Sequence, residues 1–546
     1  MRVALSTGDG AQITPGPGPR PSGPAQPRAA LWRRPGPATA LAAGLTVLLF
    51  ARVVLSVTEI GHPGLQQDET LFVNAATLRL PGVYLLHSFH GLPLMVFPYI
   101  GALKSWIYAP VFSVFGTTAA SIRVPAVLIV CLGLVLAYRA VSDVAGRATA
   151  VLAFVWLCFD NSVFWLTRDD VGPSALEFTL KCALIYAAAR LLVTRRARWI
   201  PAILLTLALG VFNKLNFIWI VNDAALISVI WAVFAWRPRH AAWRPFAVWV
   251  AGLVVIYGAF AFYYESQGIG GLVSSASSSG LGQPWALFAN GSSEILSGTW
   301  FYDYALRPGG TRTVIVYLIL IAFAAGTILS LVSTRRRNPA IAAVALVTVV
   351  TAAQTLLTAQ ATAGWHYIAV YPFVVIVAAY GLVSLAELVA PRASVRVGVV
   401  AALCAALLIY NGALLNTYFS ALDRAPLNSA WTPAIYNLDR EVTRFPGRVY
   451  SADWGIYNPL FALHQSDRLT ELAFAMTGTP TASLPALGAS VIAAPGPKLL
   501  ITHPKQALVF PNVDENLAVA FRGHLRLVRV IREAGNVPVY DVYQII

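Results

Sequence analysis

The 546-residue sequence is short of charge: 12% of its residues are Asp, Glu, Lys or Arg, about half the share in a soluble domain. It has no CxxC or HExxH spacing and no repeat of fixed period, and its four cysteines, Cys131, Cys158, Cys182 and Cys404, all fall inside apolar runs. These absences exclude an ordinary cytosolic enzyme, a disordered chain, a coiled coil and a disulfide-stapled domain. They leave no zinc motif. The missing repeat also argues against a transporter built from duplicated halves.

Hydrophobic residues make up 57% of the chain. They predict a mainly α, polytopic membrane bundle of about eleven spans, from runs of roughly 20 residues. The runs are 37–57, 122–141, 149–166, 173–193, 199–213, 216–235, 245–264, 312–333, 339–358, 366–389 and 397–415. No A-x-A cleavage site follows the first run, which therefore reads as an uncleaved helix, with Arg52 snorkelling from its outer end. The net charge of +15 gathers in short gaps between runs, at Arg195, Arg196 and Arg198, at Arg237, Arg239 and Arg244, at Arg335 to Arg337, and at Arg392 and Arg396. This positive-inside pattern reports topology and not a nucleic-acid partner. It predicts a multi-pass protein of the cell (inner or plasma) membrane, with a cytoplasmic N-terminus and, after an odd number of crossings, an extracytoplasmic C-terminus.

Three domains are expected. Residues 1–35, rich in Pro, Gly and Arg, form a disordered cytoplasmic tail; 36–415 form the membrane domain; 416–546 form a small extracytoplasmic α/β domain. In the last, Arg448–Trp454, Lys498–His503, Leu525–Ile531 and Val537–Tyr543 read as strands, and Ile435–Val442 and Pro459–Leu463 as helices. The first outer loop, 59–121, contains a helix-like stretch around Trp106 and Tyr108. The outer loop 265–311 begins with a mobile Gly/Ser stretch, suited to closing over substrate, and its aromatic part around Trp300 suits the membrane interface.

The residues able to carry chemistry lie in the outer loops. Asp68 and Glu69 follow the first span; an acid there takes a proton from a hydroxyl or holds a cation. Arg168-Asp169-Asp170 lies between the third and fourth spans on the same side, so two acidic clusters converge on one cavity. The plain alternatives are a solvated acid pair and an Arg168 that pairs with its neighbour. Lys104, Arg123, Lys214 and His366 supply positive charge near the outer surface, as a lipid phosphate requires. For Arg123 interfacial anchoring is the simpler reading, whereas Lys214 follows Asn213 within an apolar stretch.

Together these features resemble the GT-C superfamily of membrane glycosyltransferases, within it the family 39 (polyprenyl-phosphate-mannose-protein mannosyltransferase-like) and aminoarabinose-transferase-like branch. The residues that carry the resemblance are Asp68-Glu69, Tyr99 to Lys104, Phe115-Gly116, Ser121-Ile122-Arg123-Val124-Pro125, Arg168-Asp169-Asp170, His366-Tyr367 with Tyr371-Pro372, and Asp453-Trp454-Gly455. The resemblance implies an inverting transfer of a sugar from a polyprenyl-phosphate donor in the bilayer to a lipid, glycan or protein hydroxyl at the extracytoplasmic face. It implies Asp68 as the base on the acceptor, Glu69 in support, and Asp169 or Asp170 as the second acid. Lys104, Lys214, His366 and Tyr367 become candidates for the donor phosphate. Asp68 and Asp169 are the ligands of a Mg²⁺ or Mn²⁺ if one is used. Where aminoarabinose transferases have Lys-Pro, this chain reads His90-Gly91-Leu92-Pro93. The competing readings are a polytopic transporter, disfavoured because the acids lie at the membrane surface, an O-antigen ligase or polymerase, which depends on loop arginines, and a purely structural scaffold.

Overall fold

The computed structural model describes residues 37–77, 87–235, 243–266, 282–306, 312–334, 336–358, 364–390, 392–424, 427–464 and 466–546. The expected tail 1–35 and the Gly/Ser stretch 268–280 lie outside them. The chain forms two units, Met1–Val47 and Leu48–Ile546. Helix α1 (Pro37–Val57) begins in the first, and the second holds every other element.

After α1 comes α2 (Gln67–Thr77), then a small antiparallel sheet of β1 (His87–Phe89), β2 (Leu92–Phe97) and β3 (Ile100–Gly101), then α3 (Leu103–Phe115). Among the described residues, thirteen α-helices follow in order: α4 (Ala119–Ala145), α5 (Arg147–Phe159), α6 (Asn161–Arg168), α7 (Ser174–Thr194), α8 (Trp199–Asn213), α9 (Ile218–Ala235), α10 (Trp243–Ser266), α11 (Gly282–Ser297), α12 (Thr313–Val332), α13 (Pro339–Leu357), α14 (Gly364–Tyr367), α15 (Phe373–Val389) and α16 (Ala393–Leu422). Each of the eleven predicted runs is helical. Among the described residues, seven helices are long and apolar enough to cross a membrane, and α5 with α6, bent by 53°, makes an eighth candidate. At that bend the Asp160 carboxylate caps α6 by accepting the Val163 N–H at 3.0 Å. Of the other runs, α8 and α15 are shorter and α7 carries Glu177, Lys181 and Arg190. Small residues let helices touch: a Cβ on Gly381 would lie 2.1 Å from the Ala322 carbonyl oxygen of α12.

Two sequence expectations change here. Arg52 does not snorkel. It is 1% exposed and donates to the Cys158 carbonyl at 2.5 Å and to Thr167 Oγ1 at 3.0 Å. Trp300 and Phe301 are also buried, with Phe301 stacked on Trp165 at 4.4 Å, so they pack inside the protein instead of facing lipid.

The C-terminal region adds α17 (Ala434–Arg444), β4 (Arg448–Ser451), α18 (Tyr457–His464), β5 (Leu469–Glu471), α19 (Ala473–Gly478), α20 (Leu484–Ala493), β6 (Lys498–Thr502), α21 (Val513–Phe521), β7 (Leu525–Arg532) and β8 (Pro538–Ile545). Its sheet has the order β5-β4-β6-β8-β7. The first three strands are parallel, and β6, β8 and β7 are antiparallel. Alternate residues serve two faces. Val449, Leu499 and Ile501 join one core with α17, α18 and α2, while Tyr450 and Leu500 join another with α20 and α21. The four predicted strands and two predicted helices are present; β5, α19, α20 and α21 are additional. The first core also contains Leu71, Phe72, Val96 and Ile100. The loop after α1 and the C-terminal region therefore lie on one side of the bundle. That placement requires an even number of crossings between them, as the ten intervening runs predict.

Candidate active site

Asp68 and Glu69 sit in the first turn of α2, where acids oppose the positive helix end. Gln66 Oε1 accepts the N–H groups of Asp68 at 2.7 Å and of Glu69 at 3.3 Å, capping the helix. Adjacent helical residues point about 100° apart, and the two acids accordingly face different surroundings.

Glu69 turns inward and is fully buried. Arg123, from α4, donates Nε to its Oε1 at 2.5 Å and Nη2 to its Oε2 at 2.8 Å. The same guanidinium donates to the carbonyls of Ile60, Pro63 and Gly64 at 2.7, 2.9 and 3.2 Å. Arg168 does likewise for the preceding residues, binding the carbonyls of Ser56, Thr58 and Glu59 at 2.8, 3.1 and 2.9 Å. Two guanidiniums thus satisfy an irregular loop whose carbonyls have no strand to pair with. Asp169 accepts from Arg168 at 2.7 Å and lies 3.6 Å from Arg123. Asp170 accepts the Ala175 N–H at 2.8 Å and pairs with Lys104 Nζ at 2.6 Å.

The three acids Glu69, Asp169 and Asp170 are therefore matched by three buried cations, Arg123, Arg168 and Lys104. This corrects three expectations. Arg123 is no interfacial anchor, being 0% exposed. Lys104 is committed to Asp170 and the Gly172 carbonyl, 4.5 Å from the Phe72 ring centroid, and does not line the pocket. The second acidic cluster does not converge with Asp68 on one cavity: Asp169 and Asp170 do not line the pocket, and Arg168 pairs with its neighbour, as the plain alternative had it.

Asp68 turns the other way, half-buried, into a pocket it shares with Tyr99, Lys214, Gly172, Trp454 and Phe474. Burial pushes its carboxyl up to about 6, against the opposing pull of Lys214 and Gln66. Lys214 sits at the break between α8 and α9, where its backbone bridges to Ile100 and the next N–H donates to the Tyr99 carbonyl at 2.9 Å. Burial draws its ammonium below the usual lysine range, with Glu177 and Asp68 pulling the other way. Among the described residues Lys214 forms no ion pair within 4.0 Å. His366, in α14, is not among the residues that line the pocket. Tyr367 does not line the pocket; its ring packs on α11, so that a Cβ on Gly291 would lie 2.1 Å from it.

An apolar cavity of about 530 Å³ opens between β2, α8 and α10, lined by Leu94, Phe212, Leu215, Ile256, Phe260 and Tyr263, and Leu215 follows Lys214 in the chain. The donor set does not suit a divalent cation at Asp68 and Asp169. The Asp169 carboxylate already faces two guanidiniums, and the His and carboxylate group that converges within 4.8 Å among the described residues, Glu59, His62 and Asp423, includes neither acid.

Sequence reasoning missed three acids inside the membrane domain. Asp223, on α9, is 1% exposed and accepts from Thr351 Oγ1 at 2.6 Å and Gln354 Nε2 at 3.1 Å. Its signal was the Asn222-Asp223 pair in the middle of the run 216–235. Asp160 was also missed, as were its partner Tyr371, whose hydroxyl lies 3.3 Å from it, and the buried Lys181–Glu177 pair at 3.0 Å.

The fold is similar to that of ArnT from Cupriavidus metallidurans bound to undecaprenyl phosphate, with a TM-score of 0.54 at 13% identity, covering 93% of this chain and 98% of that one. The chain has the GT-C fold. The chain also matches the oligosaccharyltransferase of Archaeoglobus fulgidus, in its complex with zinc and sulfate, at a TM-score of 0.50 and 12% identity, covering 84% of this chain and 67% of that one. Residues 101–262 match the family model of dolichyl-phosphate-mannose-protein mannosyltransferases. No curated protein sequence matches. The family match and the GT-C fold indicate a glycosyltransferase and a multi-pass membrane protein.

Proposed function

We propose that the protein is an inverting glycosyltransferase that takes its sugar from a polyprenyl-phosphate donor at the extracytoplasmic face. One observation carries the reading: Asp68 and Lys214 share a pocket, while Glu69, Asp169 and Asp170 are neutralised by buried cations of their own. The polyprenyl chain lies in the apolar cavity beside α8 and α10, which adjoins Lys214 through Leu215. The ArnT that shares the fold was solved with undecaprenyl phosphate, and the apolar lining of the cavity suits the same class of lipid.

In the reaction, the acceptor oxygen attacks the anomeric carbon from the face opposite the phosphate. The carbon–oxygen bond to phosphate breaks, polyprenyl phosphate leaves, and the acceptor proton passes to Asp68. Lys214 opposes the charge that grows on the leaving phosphate, in a site poor in water. Glu69 and Asp169 position the loop through Arg123 and Arg168. The test is consumption of a radiolabelled polyprenyl-phosphate sugar pool by membranes. Asp68→Asn is expected to abolish it and Lys214→Ala to raise the donor KM. A fully active Asp68→Asn variant would remove Asp68 from the mechanism.

A further inference from the structure

The C-terminal region has no role in the reaction as described so far, yet it forms one wall of the Asp68 pocket. Trp454 follows β4, and Phe474 stands on α19, 40% exposed. Phe97 and Tyr99, joined edge to face at 5.5 Å, line the same pocket from the small sheet.

The C-terminal rings are held in place from below. Asp453 is fully buried and accepts the N–H groups of Trp454 at 2.8 Å, Val509 at 2.9 Å and Phe510 at 3.0 Å. Its Oδ2 also lies 2.7 Å from His503 Nδ1. Phe510 in turn meets Phe474 edge to face at 5.4 Å. One carboxylate thereby fixes the loop that backs one ring and the residue that carries the other. Such convergence onto partly exposed rings builds a binding surface more than a core.

We propose that this aromatic wall binds the pyranose ring of a glycan acceptor and presents its hydroxyl to Asp68. The inference rests on the glycosyltransferase reading and names the acceptor class. The C–H face of a pyranose carries slight positive charge and packs on the negative face of an aromatic ring. The pocket suits a neutral ligand, because its one acid and one cation, Asp68 and Lys214, balance. An extended protein acceptor could dock by adding a strand to a free sheet edge, one of the recurring modes of peptide recognition. The edge of β3 beside the pocket is already taken, by the bridge from Ile100 to Lys214 and by the Leu215 N–H on the Tyr99 carbonyl. The donor sugar offers the same C–H face. The donor, however, has anchors of its own without the C-terminal wall, its lipid in the cavity of β2, α8 and α10 and its phosphate at Lys214, which leaves the wall to the acceptor.

The test is saturation-transfer NMR on the full-length protein in nanodiscs, with methyl glucoside, galactoside and mannoside as probes. Wild type is expected to give saturable contacts with the ring hydrogens of at least one. Trp454→Ala should weaken them roughly fivefold, the share of one aromatic contact, while Trp454→Phe stays close to wild type. Asp68→Asn should keep them, since binding does not need the base. This readout does not depend on turnover, so its failure is distinct from a failure of the donor-consumption test. Four results would overturn the proposal: no saturable contact in wild type, equal contacts in Trp454→Ala, Trp454-dependent contacts with a Ser/Thr peptide in place of the sugars, or a loss in Trp454→Ala confined to binding of the polyprenyl-phosphate sugar.

Discussion

Replacing Arg123 by Met tests whether the buried ion network holds the catalytic loop. The side chain is wholly buried and makes five hydrogen bonds, two to Glu69 and three to the carbonyls of Ile60, Pro63 and Gly64. Removing it leaves Glu69 as an uncompensated buried charge, which costs about 3–5 kcal/mol. Each orphaned carbonyl adds roughly 1 kcal/mol, less where water enters the vacated space. The sum, on the order of 6 kcal/mol, rivals the whole stability of an ordinary domain. Arg123→Met is therefore expected to give little folded protein. The double variant Arg123→Met with Glu69→Met removes the stranded charge and keeps only the carbonyl share, about 3 kcal/mol. It should be more stable than the single variant, although it carries one more substitution. Thermal unfolding in detergent, read by size-exclusion recovery after heating, ranks the three proteins. A single variant as stable as wild type, or a double variant worse than the single, would refute the idea that Arg123 and Glu69 act as a pair holding the loop.

Other expectations follow from the same geometry. Asp68 must be ionised to act as a base and burial raises it to about 6, so the rate should fall as pH drops through about 6, on a pH–rate profile of donor consumption. The same shift, upward from 3.8, means that the folded state binds the extra proton between those values. Stability then declines as pH rises through that window, and Asp68→Asn should unfold at a higher temperature than wild type above pH 6 while being inactive. Lys214→Arg should keep more donor affinity than Lys214→Ala in a KM comparison, because it preserves the charge facing the phosphate. Gly64→Ala would place a Cβ 2.0 Å from the Thr432 carbonyl oxygen, so it should lower stability by about 1–3 kcal/mol or more in thermal unfolding.

The sequence made the bundle legible because a membrane span is a composition as much as a pattern. Eleven apolar runs became helices, and even the uncertain pair around Asn213 and Lys214 resolved into α8 and α9. The sheet strands were readable from alternation, whereas β5, only three residues long, and the short helix α19 fall below any periodic signal. At the site, Asp68 and Lys214 were legible because charge in an apolar context is rare. Which acid faces the pocket was not. Asp68 and Glu69 are neighbours in sequence, and only the rotation between successive helical residues sends one to Arg123 and the other to Lys214. Lys104 was misread for the same reason. A lysine in an outer loop looks free until the fold brings Asp170, 66 positions away, to 2.6 Å.

Asp223 bears on the transporter alternative, since an acid inside a span is where ion coupling would be sought. A coupling acid must exchange its partner for an ion, so it needs an oxygen free to be re-ligated and a path for water. Both Asp223 oxygens are held by neutral donors from α13, the Thr351 hydroxyl and the Gln354 amide. Gln354 is held in turn by the Trp219 carbonyl and by Asn222, and Asn222 by the Tyr257 hydroxyl of α10. Three helices are thereby pinned together through one satisfied acid, and releasing it to bind an ion would break that whole chain of bonds. Among the described residues it has no cationic partner within 4.0 Å to give up in exchange. The pair placed to meet a substrate is instead Asp68 with Lys214, at the pocket between the first outer loop and the C-terminal region. The group transfer proposed above needs reactive charge in that place, and the buried pairs of Glu69, Asp169 and Asp170 with Arg123, Arg168 and Lys104 brace the loop that carries it.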